Sequence, residues 1–69
     1  MKKIKIKVNG KFKTVLNISK LSDLLKNLKI PIKKVAIELN QEIIDKKRTS
    51  NIKLKKGDKI EIVHFIGGG

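Results

Sequence analysis

Between residues 3 and 8 the chain alternates lysine with Ile4, Ile6 and Val8, the period-two pattern of a strand with one buried face. Asn9-Gly10 follows, a dipeptide suited to a two-residue hairpin turn. Residues 11–16 read as the return strand, with Phe12, Thr14 and Leu16 on one face and Lys11, Lys13 and Val15 on the other. The pair is expected to form a hairpin with one apolar and one basic face. The period then changes. Leu21, Leu24, Leu25 and Leu28 make a single stripe on a helix of about two and a half turns, with Ser19 as N-cap and Asp23 in the first turn. Pro31 stops that helix and pushes Ile30 out of the helical region.

Val35, Ile37 and Leu39 mark a further strand, Asn40-Gln41 a turn, and residues 42–44 a short strand. Residues 45–51 are polar and read as a loop, followed by Ile52 and Leu54 as isolated apolar anchors and a turn at 56–58. The last strand, 59–66, sends Ile60 and Ile62 to one face and Glu61, Val63 and Phe65 to the other. Two strands, a helix, a strand, a short strand and a strand define an α+β chain. One helix crossing a mixed four- to five-stranded sheet is the β-grasp arrangement, with the final strand in the middle beside the first. Its inner face is expected to carry Ile4, Ile6, Val8, Val35, Ile37, Ile60 and Ile62 against the helix leucines. Residues 1–66 form the domain and 67–69 a flexible glycine tail.

With 69 residues and no cysteine, one small aliphatic core without disulfides or thiolate metal sites is implied. No apolar run is long enough for a membrane span, and the alternating N-terminus lacks a signal-peptide core, so a cytoplasmic location and no membrane partner are expected. The net charge of +12 suggests an anionic partner. Nucleic acid is disfavoured, because Arg48 is the single arginine among 18 basic residues and Phe12 and Phe65 are the only aromatics. Catalysis finds no support either. The carboxylates at 38, 42, 45, 58 and 61 form no evident acid–base pair. The lone His64 has no nucleophile to serve and no second ligand for a metal.

Three of the five glycines are the last three residues. Glycine contributes nothing to a core and loses the most entropy on ordering. A bare main chain is useful where it must thread into another protein, and three extended residues reach about 10 Å. Val63 and Phe65, with Ala36 on the neighbouring strand, are expected to form an exposed partner-binding patch beside Gly67, Gly68 and Gly69, flanked by a basic field of lysines 3, 5, 7, 11 and 13.

Val8-Asn9-Gly10, Leu21-Ser22-Asp23-Leu24-Leu25, the run 35–44 and the segment 54–63, ending at Gly68-Gly69, resemble the ubiquitin-like sulfur carriers. Within them the chain looks most like the ThiS family of thiazole formation in thiamine biosynthesis, and it departs from that family in being more basic. The resemblance implies a protein substrate rather than an enzyme. A ThiF-like adenylyltransferase would use ATP to activate the Gly69 carboxylate. Sulfur from a cysteine-derived donor would convert it to a thiocarboxylate, and the thiazole synthase ThiG would receive it. No cofactor would be bound by the chain itself. Gly67 and Gly68 would be the stem that enters the partner's active site. Other readings of the same features are a molybdopterin synthase small-subunit-like carrier, a ubiquitin-like modifier and a basic RNA-binding β-grasp module.

Overall fold

The computed structural model describes residues 2–64. Five strands form one sheet in the order β2-β1-β5-β3-β4: β1 Lys3–Val8, β2 Lys11–Leu16, β3 Val35–Leu39, β4 Glu42–Ile43 and β5 Lys59–His64. A single helix, α1 (Leu21–Asn27), lies against one face, and a 3-10 turn spans Lys46–Asn51. This is the β-grasp layout, with the last strand central: β5 runs parallel to β1 and antiparallel to β3. The boundary expected between domain and glycine tail lies outside the described residues.

The core follows the two hydrophobic periods. Ile6, Val35, Ile37, Ile60 and Ile62 on the sheet meet Leu21, Leu24 and Leu25 on the helix, all buried. Ile4, Val8, Leu28 and Leu39 pack at its margin. Leu54 is also fully buried, so it is a core residue rather than an isolated anchor.

The hairpin differs from its expected two faces. Asn9 and Gly10 both adopt positive φ, 50° and 82°, the signature of a type I′ turn. Residues flanking such a turn are direct cross-strand neighbours and share a face. Val8 therefore stands opposite Lys11, Ile6 opposite Lys13 and Ile4 opposite Val15. The lysines of β2 share the apolar face of β1, and Phe12 is turned to the outer face, 70% exposed. There the Lys5 and Lys7 ammonium groups sit 5.2 and 5.1 Å from its ring centroid.

Capping also differs. Lys20, not Ser19, occupies the N-cap, and the Asp23 carboxylate accepts its backbone N–H at 2.9 Å. Ser19 is held by its backbone instead, accepting from the Leu54 N–H at 2.9 Å. The helix is shorter than expected, ending where Lys29 enters the left-handed region at φ 57°. The Ile30 N–H then reaches back to the Leu25 carbonyl and the Lys29 N–H to Lys26, which satisfies the final carbonyls. Residues 46–51 are an ordered 3-10 turn rather than an irregular loop. Asp45 caps it by accepting the Lys47 N–H, and Thr49 is buried with its hydroxyl donating to the Lys46 carbonyl.

Because Leu24 is buried at the centre of the helix–sheet contact, Leu24→Ala should cost about 2–5 kcal/mol. Urea unfolding followed by circular dichroism measures it.

Candidate functional site at the end of the central strand

The expected glycine stem follows β5 in the sequence, and β5 is described as far as His64, so the residues that fix this strand come first. β5 outruns β1. The two pair only at Lys7–Lys59 and Val8–Ile60 before β1 turns away. One further rung is made by a side chain: the Asn9 Oδ1 accepts the Ile62 N–H at 2.7 Å, while the Asn9 N–H donates to the Ile60 carbonyl at 2.9 Å. Asn9 thus forms the turn and also extends the ladder beyond the end of the strand.

At the start of β5 another asparagine does the matching task on the other side. The Asn40 N–H donates to the Lys59 carbonyl, the Asn40 Oδ1 accepts the Lys59 N–H, and the Asn40 Nδ2 donates to the Asp58 carboxylate at 3.0 Å. Asp58 is buried, and its second oxygen accepts the Lys55 N–H at 2.7 Å, closing the turn in which Gly57 has φ 86°. Asn40 can do this because it too is left-handed, at φ 51°. Sequence reasoning read Asn9 and Asn40 as turn formers only, and gave Asp58 no role beyond its turn.

Toward its C-terminal end β5 is flanked on one side only. The pairs Ile62–Ile37, Val63–Ala36 and His64–Val35 join it to β3. Backbone direction alternates along a strand, so the Ile62 carbonyl and the His64 N–H and carbonyl face the hairpin side, where no strand stands opposite them among the described residues.

Val63 and Ala36 are brought together as expected. They are direct partners on the outer face, Val63 56% exposed and Ala36 half-buried. Phe65, the third residue of the expected patch, lies outside the described residues, as do Gly67, Gly68 and Gly69. The expected basic field is only partly assembled. Lys3, Lys5 and Lys7 share the outer face, whereas Lys11 and Lys13 fall on the opposite one. Between the lysines and the apolar pair stand Glu38 and Glu61, directly opposite each other. The sequence had shown no such carboxylate pair. It sits on the outer face, while alternation puts His64 on the inner one.

Asn9→Ala should remove the Ile62 rung and strain the turn. A loss of about 1–3 kcal/mol is expected, with faster hydrogen exchange at the Ile62 amide than at Ile37.

Comparison with known proteins gives a consistent picture. The model of the ThiS family matches residues 6–69. The chain is 42% identical over 65 residues to the sulfur carrier protein ThiS of Bacillus subtilis, covering 93% of this chain and 98% of that one. It is 38% identical over 66 residues to a thiazole synthase of Paramagnetospirillum magneticum, but it spans only 20% of that relative's length. The crystal structure of the thiamine biosynthesis protein ThiS from Geobacter metallireducens superposes with a TM-score of 0.83 at 33% identity, covering 96% of this chain and 100% of that one.

Proposed function

The chain belongs to the ThiS family of sulfur carriers, and on that premise we propose that it carries sulfur for thiazole formation in thiamine biosynthesis as a thiocarboxylate on Gly69. The observation that carries this reading is the family match through residue 69; it is supported by Asn9, which extends the pairing of the central strand as far as Ile62, two residues before the described residues end.

Sulfur transfer to a C-terminal carboxylate needs activation, because the anion repels nucleophiles. In the proposed cycle a ThiF-like adenylyltransferase lets the Gly69 carboxylate attack the α-phosphorus of ATP, releasing pyrophosphate and leaving an acyl-adenylate. A cysteine-derived persulfide on a donor protein attacks the acyl carbon and AMP leaves, giving an acyl disulfide; a second thiolate then attacks the S–S bond, is oxidised to a disulfide with the donor cysteine, and releases the thiocarboxylate on Gly69. The thiazole synthase ThiG then receives the sulfur. A thiazole synthase sequence that contains a segment similar to this chain supports such a partnership. The chain itself contributes no catalytic group in this reading and binds no cofactor; ATP belongs to the activating enzyme, which places the cycle in the cytoplasm. Gly67 and Gly68 supply a stem without side chains, so a Cβ at either would widen what must enter the partner.

Ala36 and Val63 suit the docking role, being an apolar pair on the outer face of β3 and β5 with Val63 exposed and Ala36 half-buried. The one-sided end of β5 adds main-chain groups that a partner can bind.

Intact mass spectrometry after incubation with ATP, a ThiF-type enzyme and a sulfur source is expected to show replacement of one oxygen by sulfur, mapped to Gly69 and absent when Gly69 is deleted. Adenylation followed by attachment to lysines would identify a modifier instead. Val63→Glu should leave unfolding unchanged within about 0.5 kcal/mol while slowing adenylate formation through a raised KM, read by pyrophosphate release.

A further inference from the structure

The β2 side of the molecule is built differently from the rest. β2 is an outer strand of the sheet, six residues long. The Asn17 N–H donates to the Lys2 carbonyl at 2.8 Å. Counting along the register from that bond, the hydrogen-bonded pairs with β1 are those at Val15, Lys13 and Lys11. Phe12 and Thr14 therefore turn both their N–H and C=O groups away from the sheet, and Leu16 turns its N–H away; the Leu16 carbonyl is taken by the Ser19 N–H. Beside this edge α1 and β2 leave space between them. Two open hollows result, one along each half of the strand. One, of about 250 Å³, is lined by Val15, Leu16, Leu24 and Asn27. The other, of about 260 Å³, is lined by Val8, Lys11, Lys13 and Leu28.

The surroundings are apolar and cationic at once. Phe12, Leu16 and, just beyond the strand, Ile18 are 70%, 40% and 51% exposed. Lys5 and Lys7 flank the Phe12 ring on the outer face, and Lys11 and Lys13 stand on the inner one. Among the described residues none of these four lysines forms an ion pair. The one carboxylate lining the grooves, Asp23, is already engaged with the Lys20 N–H.

We propose that the free edge of β2 and the groove between it and α1 bind an acidic, extended segment of a partner protein as an additional strand. Main-chain bonds to Phe12 and Thr14 would supply the pairing. Alternate apolar side chains would enter the groove against Val15, Leu24 and Leu28. Carboxylates near the hairpin end would meet Lys11 and Lys13 on one face and Lys5 and Lys7 on the other. Charge selects the occupant. Edge lysines discourage a strand from pairing with its like, so a second copy of this chain, with a net charge of +12, is repelled, whereas an acidic strand is attracted. Nucleic acid would leave the main-chain groups of the edge unused and would find one aromatic ring on which to stack. This surface lies two strands away from β5, so the proposal stands whether or not Gly69 carries sulfur.

The test uses the full chain and a synthetic peptide of alternating valines flanked at both ends by glutamates, with amide hydrogen exchange and chemical shifts as readouts. The expected result is saturable binding that protects the Phe12 and Thr14 amides, weakens steeply with salt, and is not reproduced by the same peptide flanked by lysines. Thr14→Pro, which removes an outward N–H without touching the β1 ladder, should abolish it. Lys13→Glu should weaken it roughly tenfold or more, and unchanged protection at Ile6 and Ile60 reports an intact fold in both variants. No saturable binding, shifts centred on Ala36 and Val63, equal binding of the lysine peptide, or self-association through the same amides would each overturn the proposal.

Discussion

The final strand must sit in the middle of the sheet, and the remaining structure answers to that constraint. A central strand needs hydrogen-bond partners on both sides. Neither neighbour of β5 is long enough to provide all of them: β1 turns away after Val8, and β3 ends at Leu39. Asn9 and Asn40, each the first residue of a turn and each left-handed, fill the gaps with their side-chain amides. Unpaired buried main-chain groups are costly, so these two residues tie both hairpins to the central strand. Asp58 completes the arrangement by holding Asn40 and the Lys55 N–H together.

The same topology divides the surface. On the inner face the central strands are covered by α1 and Leu54, and apolar surface stays open only in the groove along β2. The outer face is left with three zones: Phe12 among lysines on β2 and β1 and then, along the β3–β5 ladder, the opposed Glu38 and Glu61 followed by the Ala36–Val63 pair. A chain with a net charge of +12 thus does not present one uniform basic surface. Its acidic pair separates the cationic half from the apolar patch, so the two can serve different contacts without one attracting the other's partner.

That separation bears on the proposed carrier cycle, in which more than one protein would handle the chain in turn. In that cycle contacts at the end of β5 would exclude one another, because only one active site could take up Gly69 at a time. A contact on the β2 edge is not exclusive with it. The edge is available because β2 is an outer strand of the sheet and open hollows lie between it and α1.

Period and punctuation alone determined much of this protein. The 2.0 and 3.6 repeats identified every strand, the helix and its buried stripe. Asn9-Gly10 and Pro31 set boundaries, and the alternation of the last strand placed Val63 on the outer face. The terminal glycines suggested a main chain that threads into a partner, and the resemblance to the sulfur carriers implied the chemistry proposed for it; those residues lie outside the described ones. The rest required the tertiary structure, because it depends on parity and on contacts distant in sequence. Which face of β2 joins which face of β1 is fixed by the pairing across the turn, and this moved Phe12 outward and Lys11 and Lys13 inward. The opposition of Glu38 and Glu61 arises from pairing between strands twenty residues apart, from the β3–β5 register. The second role of Asn9 reaches 53 residues along the chain to Ile62. A local pattern states which side of its own element a residue occupies; only the packed sheet decides what that side meets.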